Sequence, residues 1–155
     1  MQERMRAHQL SREQADKLLN TAQIGHLGTF GLNGYPYVLP VHFVHIDGVI
    51  YFHGLNQGQK LDNIEQNPKV CFQITGDYCY LQADVPCDTN TAYQSLVCLG
   101  KAFLVEDSAL KVKVLEAVVE KFTPQHKGKA FPETMLEVTA VVGIKVDELT
   151  GKYYS

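Results

Sequence analysis

The sequence has no excess of basic charge: 14 Lys and Arg stand against 17 Asp and Glu, for a net charge of -3. Phosphate-backbone binding needs a basic footprint, so a nucleic-acid partner is not expected. Long hydrophobic runs are missing too. The apolar stretches are strand-sized, well short of the ~20 residues of a membrane helix, so no membrane partner is expected. The opening MQERMRAHQL carries charge with no apolar core behind it, which is not a secretory leader, and the cytoplasm is the expected location. The four cysteines, Cys71, Cys79, Cys87 and Cys98, form no C-x-x-C and have no His at zinc-site intervals. Cys71 and Cys98 sit in apolar, strand-like runs where a thiol behaves as a small hydrophobe. Reduced, buried thiols are expected, with no metal or redox role. Repeats, low-complexity tracts and linkers are likewise absent.

What is present is an ordinary globular composition, 45% hydrophobic and 20% charged over 155 residues, enough to bury a core without staples. One domain over 1–155 is expected, with a polar arm at 1–10 and a tail at 147–155. Ser11 followed three residues later by Gln14 is a capping-box pattern. Ala15, Leu18, Leu19 and Ala22 then fall on one helical stripe, and Gly25 is placed to end that helix in a left-handed cap. Ile24 to Phe30 reads as a strand, Asn33-Gly34 as a hairpin turn, Tyr37 to Ile46 as a strand, Asp47-Gly48 as a second turn and Val49 to His53 as a strand. These three strands predict an antiparallel meander. A short helix at 57–67 is stopped by Pro68, and Lys69 to Thr75 returns as a strand. Residues 76–93 suggest a short strand and a surface loop. A long strand from Tyr93 to Glu106, bent near Gly100, leads to a helix over Ser108 to Phe122. A loop from Thr123 to Phe131 precedes a last strand, Leu136 to Val146. Some six strands in hairpin order with few helices predict a mainly β fold, a closed or nearly closed antiparallel β-barrel with peripheral helices. A doubly wound α/β fold is disfavoured, because two-residue turns are too short for parallel crossovers.

The stretch YPYVLPVHFVHIDGVIYFHGLNQGQKLDNIEQN, Tyr35 to Asn67, is where chemistry concentrates. A two-residue loop at Asp47-Gly48 pairs Ile46 with Val49, Val44 with Tyr51 and, two further back, His42 with His53. Directly opposed residues hold their Cβ atoms ~4.5–5.5 Å apart, so two imidazoles become neighbours provided no bulge intervenes. Three roles are open to such a pair: half-buried polar side chains bonded to backbone or water, contacts to a ligand on the sheet, or a metal site, which lacks an accompanying carboxylate or Cys. His8, His26, His45 and His126 have no such partner and read as ordinary. Beyond His53, a helix opening near Gly58 offers free N–H groups and the positive end of its dipole to a phosphate, with the Lys60 ammonium in its first turn. By itself a lysine there is more often a solvated charge.

Together these residues carry a resemblance. V-P-V-x-F-V, D-G-x-I-Y-F-H-G, G-x-K-L-D-N-I and N-P-x-V-C-F, in that order, resemble the flavin-binding split barrel of the pyridoxamine 5'-phosphate oxidase-like proteins, a six-stranded antiparallel barrel, in its nitroimidazole-resistance (nitroreductase-related) branch. AYQSLVCLGKAFLVED extends the likeness, which spans about residues 11 to 146. The resemblance implies a homodimer with flavin mononucleotide (FMN) at each subunit interface. It implies that Val38, Leu39, Pro40, Val41 and His42 lie along the isoalloxazine, mainly through backbone atoms. Phe52 and His53 would approach the ring and ribityl chain, and Gly58, Gln59, Lys60 and Asn63 would hold the phosphate. Tyr93 and Ser95 would come from a neighbouring strand, across the dimer if need be.

Departures qualify the likeness. Relatives often carry G-R-K where this chain has Gly58-Gln59-Lys60, one guanidinium fewer. The basic arm of that branch is only loosely echoed by Met5-Arg6-Ala7-His8. The arginine- and histidine-bearing C-terminal segment of the true pyridoxamine phosphate oxidases is missing, so pyridoxamine phosphate is not the expected substrate. Haem-degrading relatives share the barrel, so haem stays open beside FMN and FAD. The expected function is a flavin-dependent oxidoreductase acting on a small organic acceptor such as a nitro-aromatic compound, with His53 and secondarily His42 as proton donors. The alternative is a non-catalytic flavin- or haem-binding module for storage, sensing or electron transfer.

Overall fold

A computed structural model of the protein describes residues 7–155; the first six positions of the expected arm, Met5 and Arg6 among them, lie outside the described residues. The elements in chain order are α1 (Arg12–Thr21), β1 (Ile24–Phe30), β2 (Pro36–His42), β3 (Val44–Ile46), β4 (Val49–Leu55), α2 (Gln59–Gln66), β5 (Lys69–Leu81), β6 (Asn90–Leu104), α3 (Ser108–Phe122), α4 (Glu133–Val138) and β7 (Thr139–Tyr154). Short 3-10 turns at Pro86–Asp88 and Pro124–His126 fill two of the connections. All strands join one antiparallel sheet in the order β2-β1-β5-β6-β7-β4-β3.

The two edge strands of this sheet, β2 and β3, are a single run of chain interrupted only at Phe43. The sheet therefore curls round until its edges are covalently continuous, which leaves little free edge for another chain to pair with. The expected barrel is observed, as a split barrel of seven strands. The seventh arises because Tyr37 to Ile46, read as one strand, changes neighbours at Phe43. The expected meander is corrected by the same fact: β2 pairs with β1, β3 pairs with β4, and the segment between them is a seam.

Strand alternation sorts the side chains into two cores. Ile50 and Phe52 of β4 point into the barrel with Leu27, Phe43, Phe72, Ile74, Leu96 and Ile144, and α1 closes one end with Ala15, Leu18 and Leu19. Tyr51 points outward, where it joins Val44 and Val141 beneath Val114, Leu115 and Val118 of α3. At the seam, Lys121 near the end of α3 donates to the carbonyls of Ala22, at 2.6 Å, and Phe43, at 3.0 Å, and its Nζ lies 4.4 Å from the Phe43 ring centroid. Burial pushes its pKa down. One cation thus ties α3, the α1–β1 connection and the strand break together.

Local signals performed unevenly. The capping box at Ser11 and Gln14 is present with both of its bonds, and the Asp47-Gly48 turn carries positive φ at both positions, 51° and 81°, as a type I′ hairpin requires. The bend near Gly100 is a register shift between Leu99 and Gly100 against β7. Gly25 is not a helix cap. The helix ends at Ala22, and Gly25 belongs to β1, where a Cβ would run into the ring of Phe72. The predicted tail is the second half of β7, which pairs with β6 out to Tyr93 and Tyr154. Leu136 begins that region as part of α4 rather than as strand. Residues 76–81 and 90–93 likewise continue β5 and β6 past the expected limits. Their polar, alternating composition obscured strands held by backbone ladders. Among the described residues no helix is long and apolar enough to cross a membrane.

Truncating the seam ring tests which packing holds the barrel shut. Phe43→Ala should cost about 3–5 kcal/mol, whereas Tyr80→Ala, at a 68% exposed position, should change stability by less than about 0.5 kcal/mol. Urea denaturation of the two variants would show the difference.

Candidate active site at the barrel seam

The ladder counted from the Asp47-Gly48 turn is observed for Ile46 with Val49 and Val44 with Tyr51, and stops there. His42 lies beyond the break at Phe43 and pairs with Ile24 of β1 instead. The two imidazoles nevertheless meet across the seam, with ring centroids 4.7 Å apart in an edge-to-face arrangement at 69°. The Phe122 ring also meets His42 in a T-shaped arrangement, with centroids 5.2 Å apart.

Around them opens a cleft of about 700 Å³ on the outer face of the barrel, walled by Pro40, Val41, His42 and His53 from the sheet and by Leu115, Val118, Val119 and Phe122 from α3. The wall supplied by α3 and by Phe131 was not foreseen. The same Val118 and Phe122 spacing marks any core-facing helix, and only tertiary packing shows that its last turn overhangs a cleft. Among the described residues no Asp, Glu, Lys or Arg lines the space.

His53 is the strained member of the pair. Its Nδ1 is buried without a hydrogen-bond partner, a condition that a ligand or an ordered water relieves. Burial first, and then the nearby His42 and Lys60, push its pKa below the ordinary imidazole value. Lys60 earns its place there by position. It lies in the first turn of α2, and a Cβ on Gly54, the residue after His53, would stand 3.0 Å from its Nζ. The helix begins at Gly58 with φ at 125° and no side-chain cap. The N–H groups of Leu61 and Asp62 donate to the carbonyl of Gly58, at 2.9 and 3.2 Å, and those of Gln59 and Lys60, one step nearer the helix start, have no carbonyl within the helix to reach. An uncapped helix start, an ammonium and an unpaired imidazole nitrogen follow one another along the end of β4.

The remaining candidates separate. Val38 points outward and is 61% exposed, while Leu39 and Val41 turn inward against the barrel core. Phe52 is fully enclosed in the barrel, so its ring is core and only its backbone lies near His53. Asn63 is also fully buried, with its amide donating to Thr29 Oγ1 at 2.9 Å, which removes its side chain from the exposed helix start. Tyr93 pairs with Tyr154 and His53 with Val141, so they stand towards opposite ends of the 16-residue β7. Ser95, beside Tyr93, accepts from Gln73 at 3.3 Å. Of the other histidines, His45 faces Asn20 and His126 faces Lys129. All four cysteines are free thiols; Cys98 is buried and its pKa pushed up to about 11, while Cys79 and Cys87 are exposed. Among the described residues no group of three or more His, Cys, Asp or Glu could hold a metal.

The fold is a split antiparallel β-barrel with a largely apolar cleft near the uncapped start of α2. The profile of the pyridoxamine 5'-phosphate oxidase family matches residues 11–153, and the chain belongs to that family. Three solved structures share its fold at low identity. The flavocytochrome Anf3 of Azotobacter vinelandii is 22% identical, with a TM-score of 0.87 over 100% of this chain and 72% of its own. An FAD- and haem-binding protein of Mycobacterium smegmatis is 20% identical, with a TM-score of 0.85 over 96% and 74%. A candidate 5-nitroimidazole antibiotic resistance protein of Bacteroides thetaiotaomicron is 22% identical, with a TM-score of 0.82 over 94% and 86%. No curated protein matches the sequence.

The depressed pKa of His53 has a stability consequence. The unfolded chain binds a proton at this residue more readily than the folded one, so its contribution is fully present above the unfolded pKa near 6.5 and is lost as pH falls towards the lower folded value. His45, also shifted down by burial, acts in the same direction. Denaturation midpoints should decline on acidification from pH 7.5 to 5, and less steeply in His53→Gln.

Proposed function

We propose that the protein is a flavin-dependent oxidoreductase that binds FMN along the seam and reduces a small, uncharged organic acceptor. The observation that carries this reading is the unpartnered Nδ1 of His53 in an apolar cleft, one residue from the Gly54 backbone over which Lys60 folds. These residues fit the cofactor. Gly58, Gln59 and Lys60 would hold the phosphate with free N–H groups and one ammonium, and Pro40, Val41, His42 and His53 would face the ring. When bound, the flavin supplies hydride or electron transfer, drawing on a nicotinamide nucleotide.

The chain's own residues then have separable tasks. The walls from α3 exclude water from the cleft. Pro40 presents apolar surface to a flat ring, and Val41, whose side chain turns inward, presents its backbone. His53, and through it His42, donates a proton to the reduced acceptor. Because its pKa is depressed, the imidazolium form of His53 accumulates only below neutrality, so the His53-dependent rate rises as pH falls. A nitro-aromatic compound suits a cleft with no charged lining residue, whereas a phosphorylated substrate would find no cation there.

The reading includes a homodimer. The outer face formed by β1, β2, β5 and β6 exposes Phe30, Val38 and Leu99 around a groove of about 670 Å³, an apolar patch of the kind that marks an interface. Tyr93 and Ser95, distant from His53 along β7, would reach the flavin from the second subunit.

A second reading rests on the same unpartnered imidazole: a haem-binding module with His53 as an iron ligand. FAD in place of FMN is a variant of the first. An absorption spectrum of the purified protein separates them. Flavin bands bleached by NADH or NADPH support the oxidoreductase, a Soret band supports the haem module, and a colourless protein unchanged by flavin titration removes both. His53→Ala should retain flavin while turnover of a nitro-aromatic acceptor falls by 10²–10⁴-fold, on the usual scale for a lost general acid, and its residual rate should no longer rise on acidification. Val38→Glu should shift the molar mass from dimer to monomer in light scattering after gel filtration; an unchanged mass would place the interface elsewhere.

A further inference from the structure

Asn63 is the one buried polar side chain of α2, and it is only half satisfied. Its Nδ2 donates to Thr29 Oγ1 at 2.9 Å, while its Oδ1 is buried with no partner. Thr29, itself buried, passes the connection on by donating to the carbonyl of Tyr37 at 3.4 Å. As a source of stability this arrangement is poor, since one bond is gained and one acceptor is stranded, and an aliphatic side chain would strand nothing. What a hydrogen bond adds over an aliphatic contact is direction.

The three residues join three elements. Asn63 is one helical turn after Gln59, so it sits beneath the exposed, uncapped start of α2 where the open N–H groups and Lys60 lie. Thr29 belongs to β1, and Tyr37 to β2, the strand that carries Pro40, Val41 and His42 to the cleft. With no side-chain cap at Gly58, the first turn of α2 takes its position from what lies under it. That is Asn63, the neighbouring core residue Ile64 and the half-buried Leu61, which packs against the same core; of these only Asn63 makes a directional bond.

We propose that Asn63 and Thr29 are positioning residues that hold the anion site at Gly58–Lys60 at a set separation from the cleft at His42 and His53, and thereby make the protein select a phosphorylated flavin over an unphosphorylated one. The proposal rests on the flavin reading above. A phosphate and a ring joined by a ribityl chain of limited reach behave as two linked binding groups. The second group adds to affinity only when the two sites stand at the span of the linker. An error of about 1 Å in the helix start weakens the phosphate contacts and leaves the ring contacts as they were. Neither Asn63 nor Thr29 needs to touch the ligand.

The experiment compares FMN with riboflavin. Dissociation constants for both are measured by quenching of flavin fluorescence on the full chain, in wild type, Thr29→Val, Thr29→Ser and Asn63→Leu, alongside thermal midpoints. Thr29→Val removes the hydroxyl at nearly constant volume and keeps the question answerable if Asn63→Leu fails to fold. The expected result is a wild-type preference for FMN that falls about tenfold in Thr29→Val, equivalent to ~1.4 kcal/mol, with riboflavin affinity unchanged and the preference restored by Thr29→Ser. A wild-type preference that survives in Thr29→Val, whatever the loss in thermal midpoint, overturns the positioning role and leaves the flavin reading intact. A wild type that binds neither compound, or binds riboflavin as tightly as FMN, overturns the phosphate site and the proposal together.

Discussion

The closure of the sheet on itself is the constraint from which the rest of this molecule follows. β2 and β3 are one length of chain, and they form opposite edges of one seven-stranded sheet. A flat sheet cannot satisfy that condition, so the strands must curl until the ends meet at Phe43. Burying the Phe43 ring inside the barrel fixes the break from within, and Lys121 fixes it from outside by bonding the carbonyls of Phe43 and Ala22. The cation is held in a half-buried place where its charge is discouraged, and two carbonyl dipoles and an aromatic face offset that penalty.

The candidate site is a by-product of this seam. Strands that change neighbours leave a gap in the ladder, and side chains beside the gap are not bound to a regular partner. His42 pairs with β1 through its backbone and with His53 through its ring. His53 keeps a buried Nδ1 with no hydrogen-bond partner even with the His42 ring beside it. The end of α3, held at the seam by Lys121, supplies the apolar wall that makes the gap a cleft, and burial lowers the pKa of His53 there. The stability of the barrel and the shape of the candidate site are therefore linked: the residue that holds the barrel shut also anchors the helix that walls the imidazoles.

Much of the local architecture was legible beforehand, because it is written in short-range chemistry. A capping box, an Asp-Gly turn and alternating apolar residues act over two to four positions, and each appeared where its residues stand. The number of strands in hairpin order extended this to a barrel, and the family likeness to a split barrel. The His42–His53 contact was reached by counting a register that in fact ends one pair earlier, so the neighbours were right and the pairing was not. The misread parts share a cause. Gly25 looked like a cap because a glycine after a helix usually is one, whereas the packing of Phe72, 47 positions away, is what excludes a side chain there. The second half of β7 looked like a tail because its stability comes from ladders to β6, and ladders leave no periodic mark in a polar strand. Asn63 was set at the phosphate by the family likeness, and the packing of α2 on β1 turns its side chain inward to Thr29.

By itself the sequence determined where α1, α2 and α3 start, where hairpins turn, and which stretch would carry the histidines, since each depends on neighbours along the chain. Only the tertiary structure decided that one strand would serve both edges of the sheet, that His42 and His53 would meet across a seam rather than along a ladder, and that α3 would wall the cleft above them. Those outcomes depend on contacts between residues tens of positions apart, which closing the barrel brings together and no local pattern records.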